Sequence, residues 1–133
     1  MNREAFLFDT HALIFWSGKS LVSDEFLRFF DQKAQEGALY VSSISFWETA
    51  LLAKKEKIGI SDVNHWKNEL LTYTHLQLID PSATEMIEST HLPDHHKDPF
   101  DRLLIVQAVN HDLALVTKDD LISRYDIKTF WIA

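Results

Sequence analysis

The chain has 133 residues, of which 46% are hydrophobic and 12% aromatic, and a formal net charge of −7. That length suits one compact domain over residues 1–133 with a real core, and the absence of cysteine excludes disulfides and thiolate chemistry. The acidity excludes a protein that coats nucleic acid by neutralising phosphates, but not an enzyme that meets phosphate through cations.

The start, Met1-Asn2-Arg3-Glu4, is followed by only a short apolar run, so no signal peptide is predicted. No apolar stretch reaches the roughly 18 residues of a membrane span, and a cytoplasmic protein with no membrane partner is expected. Ala5-Phe6-Leu7-Phe8 reads as a buried parallel strand. Ser23 to Glu36 reads as a helix: Ser23 caps it, Phe26, Leu27, Phe30 and Ala34 share a face, and Gly37 ends it. Leu39-Tyr40-Val41 is a second strand, followed by a helix capped by Ser43 or Ser45 and running to about Lys57. Ser61-Asp62 opens a helix through about Tyr73. Leu76 to Ile79 is a third strand, and Asp80-Pro81-Ser82 starts a helix to about Thr90. The loop Leu92 to Lys97 leads to a helix from Pro99 to about His111. Leu113 to Val116 and Thr129 to Ile132 are the last two strands. Five short strands alternating with helices predict an α/β fold, a parallel sheet with helices on both faces. In such sheets the ligand site lies beyond the carboxyl ends of the strands, near the switch in strand order.

Acids collect where that rule points. Asp9 directly follows the first strand, and a carboxylate there needs a cation, donors or solvent. Its competing use is to cap Thr10-His11-Ala12-Leu13. Glu48 shares the apolar stripe of Ile44 and Leu51, but Ser45 and Glu48 also have the spacing of a capping box. Asp98 fits the cap of the Pro99 helix, with Asp101 in its first turn, where the helix dipole favours acids. Asp119 and Asp120 follow the fourth strand. Asp120 reads as a turn residue, and Asp119, nearer the strand end, as a site residue. Each structural use is sound singly; together they account less well for acids recurring at two strand ends and at two helix starts beside them. A hard cation such as Mg²⁺ takes oxygen ligands from a few carboxylates and substrate phosphate. Two such ions about 4 Å apart activate water and stabilise the leaving oxygen in phosphodiester hydrolysis.

The segments Phe8-Asp9-Thr10-His11-Ala12-Leu13, Val41-Ser42-Ser43-Ile44-Ser45-Phe46-Trp47-Glu48, His96-Lys97-Asp98-Pro99-Phe100-Asp101-Arg102-Leu103-Leu104 and Leu115-Val116-Thr117-Lys118-Asp119 stand in an order that resembles a PIN domain. The name comes from the PilT N-terminus, and the likeness is closest to VapC-type toxin ribonucleases. The resemblance covers nearly the whole chain. It implies a three-layer fold with about five parallel strands, one or two Mg²⁺ or Mn²⁺ ions, and endonucleolytic cleavage of RNA by metal-activated water. It implies that Asp9, Glu48, Asp101 and Asp119 form a catalytic quartet, with Asp9, Asp101 and Asp119 on the metal. Asp98 assists them, and Thr10 and Thr117 orient carboxylates or water. A homodimer and a cognate antitoxin, seated in a groove beside the site, are implied as well.

Other side chains carry weaker readings. Arg102, Lys118 and His11 adjoin the acids and are candidate phosphate contacts. His95 and His96 suit a loop better than zinc, because adjacent histidines seldom reach one tetrahedral ion and no HExxH spacing occurs. Lys54, Lys55 and Lys57 suit a helix C-terminus. Phe15, Trp16, Phe46 and Trp47 are core by default, with some of them available to a dimer or antitoxin groove. A non-catalytic PIN-like or receiver-like signalling module is the alternative; a receiver needs an adjacent acid pair after its first strand, and Asp9 is followed by Thr10-His11.

Overall fold

A computed structural model describes residues 4–133; Met1, Asn2 and Arg3, on which the signal-peptide expectation partly rests, lie outside the described residues. Five parallel strands form one sheet in the order β3-β2-β1-β4-β5. They are β1 (Phe6–Phe8), β2 (Leu39–Ser42), β3 (Gln77–Ile79), β4 (Ala114–Val116) and β5 (Thr129–Phe130). β1 is the central strand, with Phe6 opposite Leu39 of β2 and Phe8 opposite Val116 of β4. The chain moves outward from β1 to β2 and β3, then returns to the other side of β1 for β4 and β5. The switch in strand order therefore falls at β1 and β4.

The alternation of side chains along β1 divides the core. Phe6 and Phe8 face a cluster with Leu13 and Trp16 of α1 (Thr10–Gly18) and Phe26, Phe30 and Ala34 of α2 (Asp24–Gln35). Leu7 faces the opposite cluster, with Leu103, Leu104, Ile105 and Ala108 of α6 (Pro99–Asn110) and Ile44 of α3 (Ser43–Lys54). Successive strand residues point to opposite faces, so three apolar residues in a row serve two layers. The first layer is an aromatic network: Phe6 meets Phe29, Phe30 and Phe130 at 4.9–5.5 Å between ring centroids, and Trp131 meets Phe26 at 4.9 Å. Helices α4 (Val63–Tyr73) and α5 (Ala83–Ser89) complete the surround. Among the described residues no helix is long and apolar enough to cross a membrane.

The sequence-based boundaries hold to within one to three residues, with three instructive differences. α1 was legible only as a capped segment at Asp9; it is a nine-residue helix. α3 is capped by Ser42, whose hydroxyl accepts from Ile44 N at 3.3 Å, not by Ser43 or Ser45. It also stops at Lys54, where Glu56 takes the left-handed turn (φ 56°) ahead of Gly59. Gly37, by contrast, ends α2 as expected: at φ 69° it lets Ala38 N–H reach back to Lys33 O at 2.9 Å, a conformation that costs a residue with a Cβ.

Candidate metal centre

The turn after β1 begins with Asp9, only 7% exposed. One of its oxygens accepts from Ala12 N at 2.8 Å and caps α1. The cap takes one carboxylate oxygen and leaves the other available to the cleft that Asp9 lines. Across the switch in strand order, Thr117 follows β4. Its hydroxyl accepts from Asp119 N–H at 3.1 Å and hydrogen-bonds Asp9. One small side chain thus ties together the acids from the two strand ends.

Glu48 enters from α3. Because Ser42 is the cap, Glu48 is the sixth helical residue, and the capping box with Ser45 does not form. Ser45 is buried and shares a hydroxyl–hydroxyl hydrogen bond of 3.1 Å with Thr10. Glu48 Oε1 is buried with no hydrogen-bond partner among the described residues. Buried polar atoms are nearly always paired, so an orphaned carboxylate oxygen facing other acids marks a place for a cation.

The start of α6 contributes the rest. Asp98 Oδ1 accepts from Phe100 N at 2.8 Å and from Asp101 N at 3.4 Å, so Asp98 is the cap. Pro99 takes the first helical position, where its missing N–H costs nothing. That leaves the Asp101 carboxylate free of capping. Asp119 divides its oxygens: Oδ1 accepts from Leu121 N at 2.8 Å, and Oδ2 lies 3.2 Å from His96 Nε2.

Asp9, Glu48, Asp98, Asp101 and Asp119 line one cleft of about 350 Å³, together with His11, Phe15, His96 and Lys118. Burial and crowding hold three of them, Asp9, Glu48 and Asp101, protonated beyond their ordinary range. Asp101 is pushed up to about 8, by burial first and then by the charges of Asp98, Asp9, Glu48 and Asp119. Asp9 and Glu48 are also raised, each mainly by burial, against hydrogen bonds from Thr117 and Thr10 respectively. A divalent cation relieves all three penalties at once. The donors are hard oxygens, several from carboxylates, which fits Mg²⁺ or Mn²⁺ chemistry.

Two side chains depart from the sequence reading. Arg102 was expected at phosphate. It is instead 8% exposed, and its guanidinium donates to the carbonyls of Ser89, Leu92, Pro93 and His96 at 2.9–3.1 Å. It staples the loop before α6 and does not line the cleft. The residue missed is His96. It lies in the loop before α6, as expected, but its Nε2 lies 3.0 Å from Asp101 Oδ2 and 3.2 Å from Asp119 Oδ2. The signal available in the sequence was its position two residues before the Asp98 cap, from which Asp98 N–H reaches its Nδ1 at 3.1 Å. Lys118 and His11 do line the cleft and are exposed. Trp16 and Phe46 are core, and Phe15 is half-buried at the cleft. Trp47, core by default, is 62% exposed and packs edge-on against Phe100.

Comparison with known proteins places this geometry. The model of the PIN domain family matches residues 6–128. Ribonuclease VapC22 of Mycobacterium tuberculosis is 32% identical over 120 residues, covering 85% of each chain. Among solved structures, VapBC2 from Rickettsia felis, bound to a DNA fragment from its promoter, superposes with a TM-score of 0.71 at 18% identity, over 96% of this chain and 98% of that one. A toxin–antitoxin complex from Klebsiella pneumoniae superposes with a TM-score of 0.57 at 22% identity, over 86% and 87%. At these identities the structural likeness is one of fold.

Proposed function

Because the chain belongs to the PIN domain family, we propose that it is a divalent-metal-dependent endoribonuclease, the toxin of a toxin–antitoxin pair, acting in the cytoplasm. The observation that carries this reading is the cleft of five acids at the switch in strand order, with an orphaned buried oxygen on Glu48 and an Asp101 held at about 8. Asp9, Asp101 and Asp119 hold the metal, one ion or two, as Mg²⁺ or Mn²⁺. Glu48 completes the quartet and Asp98 sets the start of α6. The bound cation supplies a water of lowered pKa and neutralises charge on the scissile phosphate. The protein's own part is positional. Thr117 fixes Asp9 relative to Asp119, and Thr10, beside Ser45, steadies Glu48. Lys118 and His11, exposed at the rim, meet the flanking phosphates of the RNA. The net charge of −7 keeps RNA away from the empty cleft, so cation entry and substrate binding are coupled.

The test is cleavage of RNA by the purified, antitoxin-free protein with and without Mg²⁺ or Mn²⁺. Cleavage that appears only with the cation is expected. Cleavage that persists in excess chelator would defeat the mechanism.

We also propose a homodimer and an antitoxin partner. Supporting both is an apolar groove of about 740 Å³ between α3, α5 and α6, lined by Trp47, Leu51, Met86, Phe100 and Leu103. Apolar patches with exposed aromatics are costly unless a partner covers them. Light scattering should give the mass of two chains, and a monomer at micromolar concentration would remove the dimer from this reading.

A further inference from the structure

His96 is the basic group most deeply placed in the acidic cleft, its side chain only 11% exposed. Three hydrogen-bonding facts define its state. Asp98 N–H donates to Nδ1 at 3.1 Å, so Nδ1 carries a lone pair and no proton. The ring proton is therefore on Nε2. That proton faces Asp101 Oδ2 at 3.0 Å and Asp119 Oδ2 at 3.2 Å, bridging acids from two different elements.

This arrangement is the reverse of a metal ligand. A histidine that binds a metal presents a bare nitrogen to the ion and donates its other N–H to an acceptor. Here the outward nitrogen carries the proton and the inward one faces a donor. Yet one ligand atom from each of His96, Asp101 and Asp119 lies within 4.8 Å of the other two, the spread that suits ligands of a single ion. The N–H points at the two oxygens that a shared cation would use.

We propose that His96 is an internal stand-in for the cation: its Nε2–H holds Asp101 and Asp119 together while the cleft lacks metal, and the ring must release them for metal to bind. The inference rests on the reading of this cleft as a divalent-metal site. The rest of the neighbourhood fits a ring that moves on a fixed backbone. His96 N–H donates to the Tyr125 hydroxyl at 3.0 Å, and His96 C=O accepts from Arg102 at 2.9 Å. Tyr125 is itself buried and donates to Pro93 O at 2.6 Å. With the main chain clamped from both sides, the freedom left is rotation of the side chain. His96 is thus a positioning residue whose bonds compete with the cation, and metal affinity is reduced by the fraction of molecules in which the ring is docked.

The test measures Mn²⁺ binding by calorimetry for the wild type, His96→Ala and His96→Gln. His96→Ala, which cannot bridge the acids, should bind Mn²⁺ at least about threefold more tightly. His96→Gln, whose amide can still donate to the two carboxylates, should return towards the wild-type affinity. In the wild-type protein, histidine ¹⁵N–¹H correlation spectra should show the Nε2–H tautomer without metal and loss of its hydrogen-bonded proton signal at saturating Mg²⁺. Weaker or unchanged binding by His96→Ala overturns the proposal, as does imidazole nitrogen coupling in the electron spin echo of bound Mn²⁺. If His96→Ala does not fold, the spectra decide: a ring still bonded to the acids at saturating Mg²⁺ overturns it. Binding by the wild type with no gain in His96→Ala removes this inference alone. Binding by neither protein removes the metal-site reading and the inference with it.

Discussion

Asp101 and Arg102 are neighbours in sequence on α6, both largely buried, and they live in opposite regimes. Arg102 sends its donors to four carbonyls, one at the end of α5 and three in the loop after it, with the Tyr125 hydroxyl and Asp94 nearby at 3.5 Å. Asp101 faces four other acids and one histidine proton, and burial and like charge lift it to about 8. A buried charge with every valence met is structure: removing it leaves carbonyls without partners. A buried carboxyl surrounded by its own sign is held there against its preference, an arrangement that a cation from outside the chain would relieve. The roughly 100° turn between consecutive helical residues is enough to separate the two roles.

The sharpest way to break that comparison is to neutralise each residue in turn. Asp101→Asn keeps shape and removes charge. RNA cleavage should fall by about 10³-fold or more, roughly 4 kcal/mol of transition-state stabilisation, while the metal-free protein melts at the same temperature or higher. Arg102→Lys should do the reverse. A lysine cannot span the carbonyls, and stability should drop by about 3 kcal/mol. Cleavage measured well below the melting point should fall by less than about tenfold. Rate assays and thermal unfolding on both variants decide. If Asp101→Asn melts markedly lower, or Arg102→Lys loses cleavage as completely as Asp101→Asn, the division between the two residues is wrong.

The pH dependence of stability sharpens the same point. The Asp101 carboxyl titrates near 3.8 when unfolded and at about 8 when folded. Between those values the native state binds the extra proton, so stability is greatest in acid and falls as pH rises towards 8. Asp9 and Glu48, also raised, act in the same direction. The melting temperature of the metal-free protein should fall by on the order of 5 °C from pH 5 to pH 8. Saturating Mg²⁺, or Asp101→Asn, should flatten that slope. A slope of the opposite sign in the metal-free protein would show that the acids are not crowded as described.

The legibility of the fold and of the site differed for physical reasons. The strands and the larger helices were legible because periodicity and turn residues are local: Phe26, Phe30 and Ala34 mark a face, and Gly37 ends it. That the five acids gather was legible from one rule about strand ends. The division of labour among them was not. The capping box proposed for Glu48 was excluded only by a three-residue difference in where α3 begins, and propensity does not resolve Ser42 from Ser45. Arg102 was misread because adjacency in sequence was taken for adjacency in the cleft. His96 was missed because its role comes from contacts with Asp119, 23 residues away, which β4 delivers. Asp9 was legible as a cap and lies in the cleft as well, since a carboxylate has two oxygens and a cap takes one.

Lys118 should give the smallest effect and isolates the contribution of exposed charge. It lies at the rim of the cleft, its ammonium 5.4 Å from the Phe15 ring centroid and 5.5 Å from that of Trp131. Those rings hold the lysine by cation–π attraction without neutralising it, leaving its charge free to meet a phosphate. An exposed cation contributes to capture of RNA more than to the chemical step. Lys118→Ala should therefore raise KM by about threefold at moderate salt and leave kcat and the melting temperature almost unchanged. Its signature is in the salt dependence: losing one phosphate contact to a single strand should lower the slope of log(kcat/KM) against log[salt] by about 0.7. A fall in kcat with the slope intact would place the ammonium at the scissile phosphate instead. Lys118 would then belong with Asp101, among the groups whose charge serves the reaction.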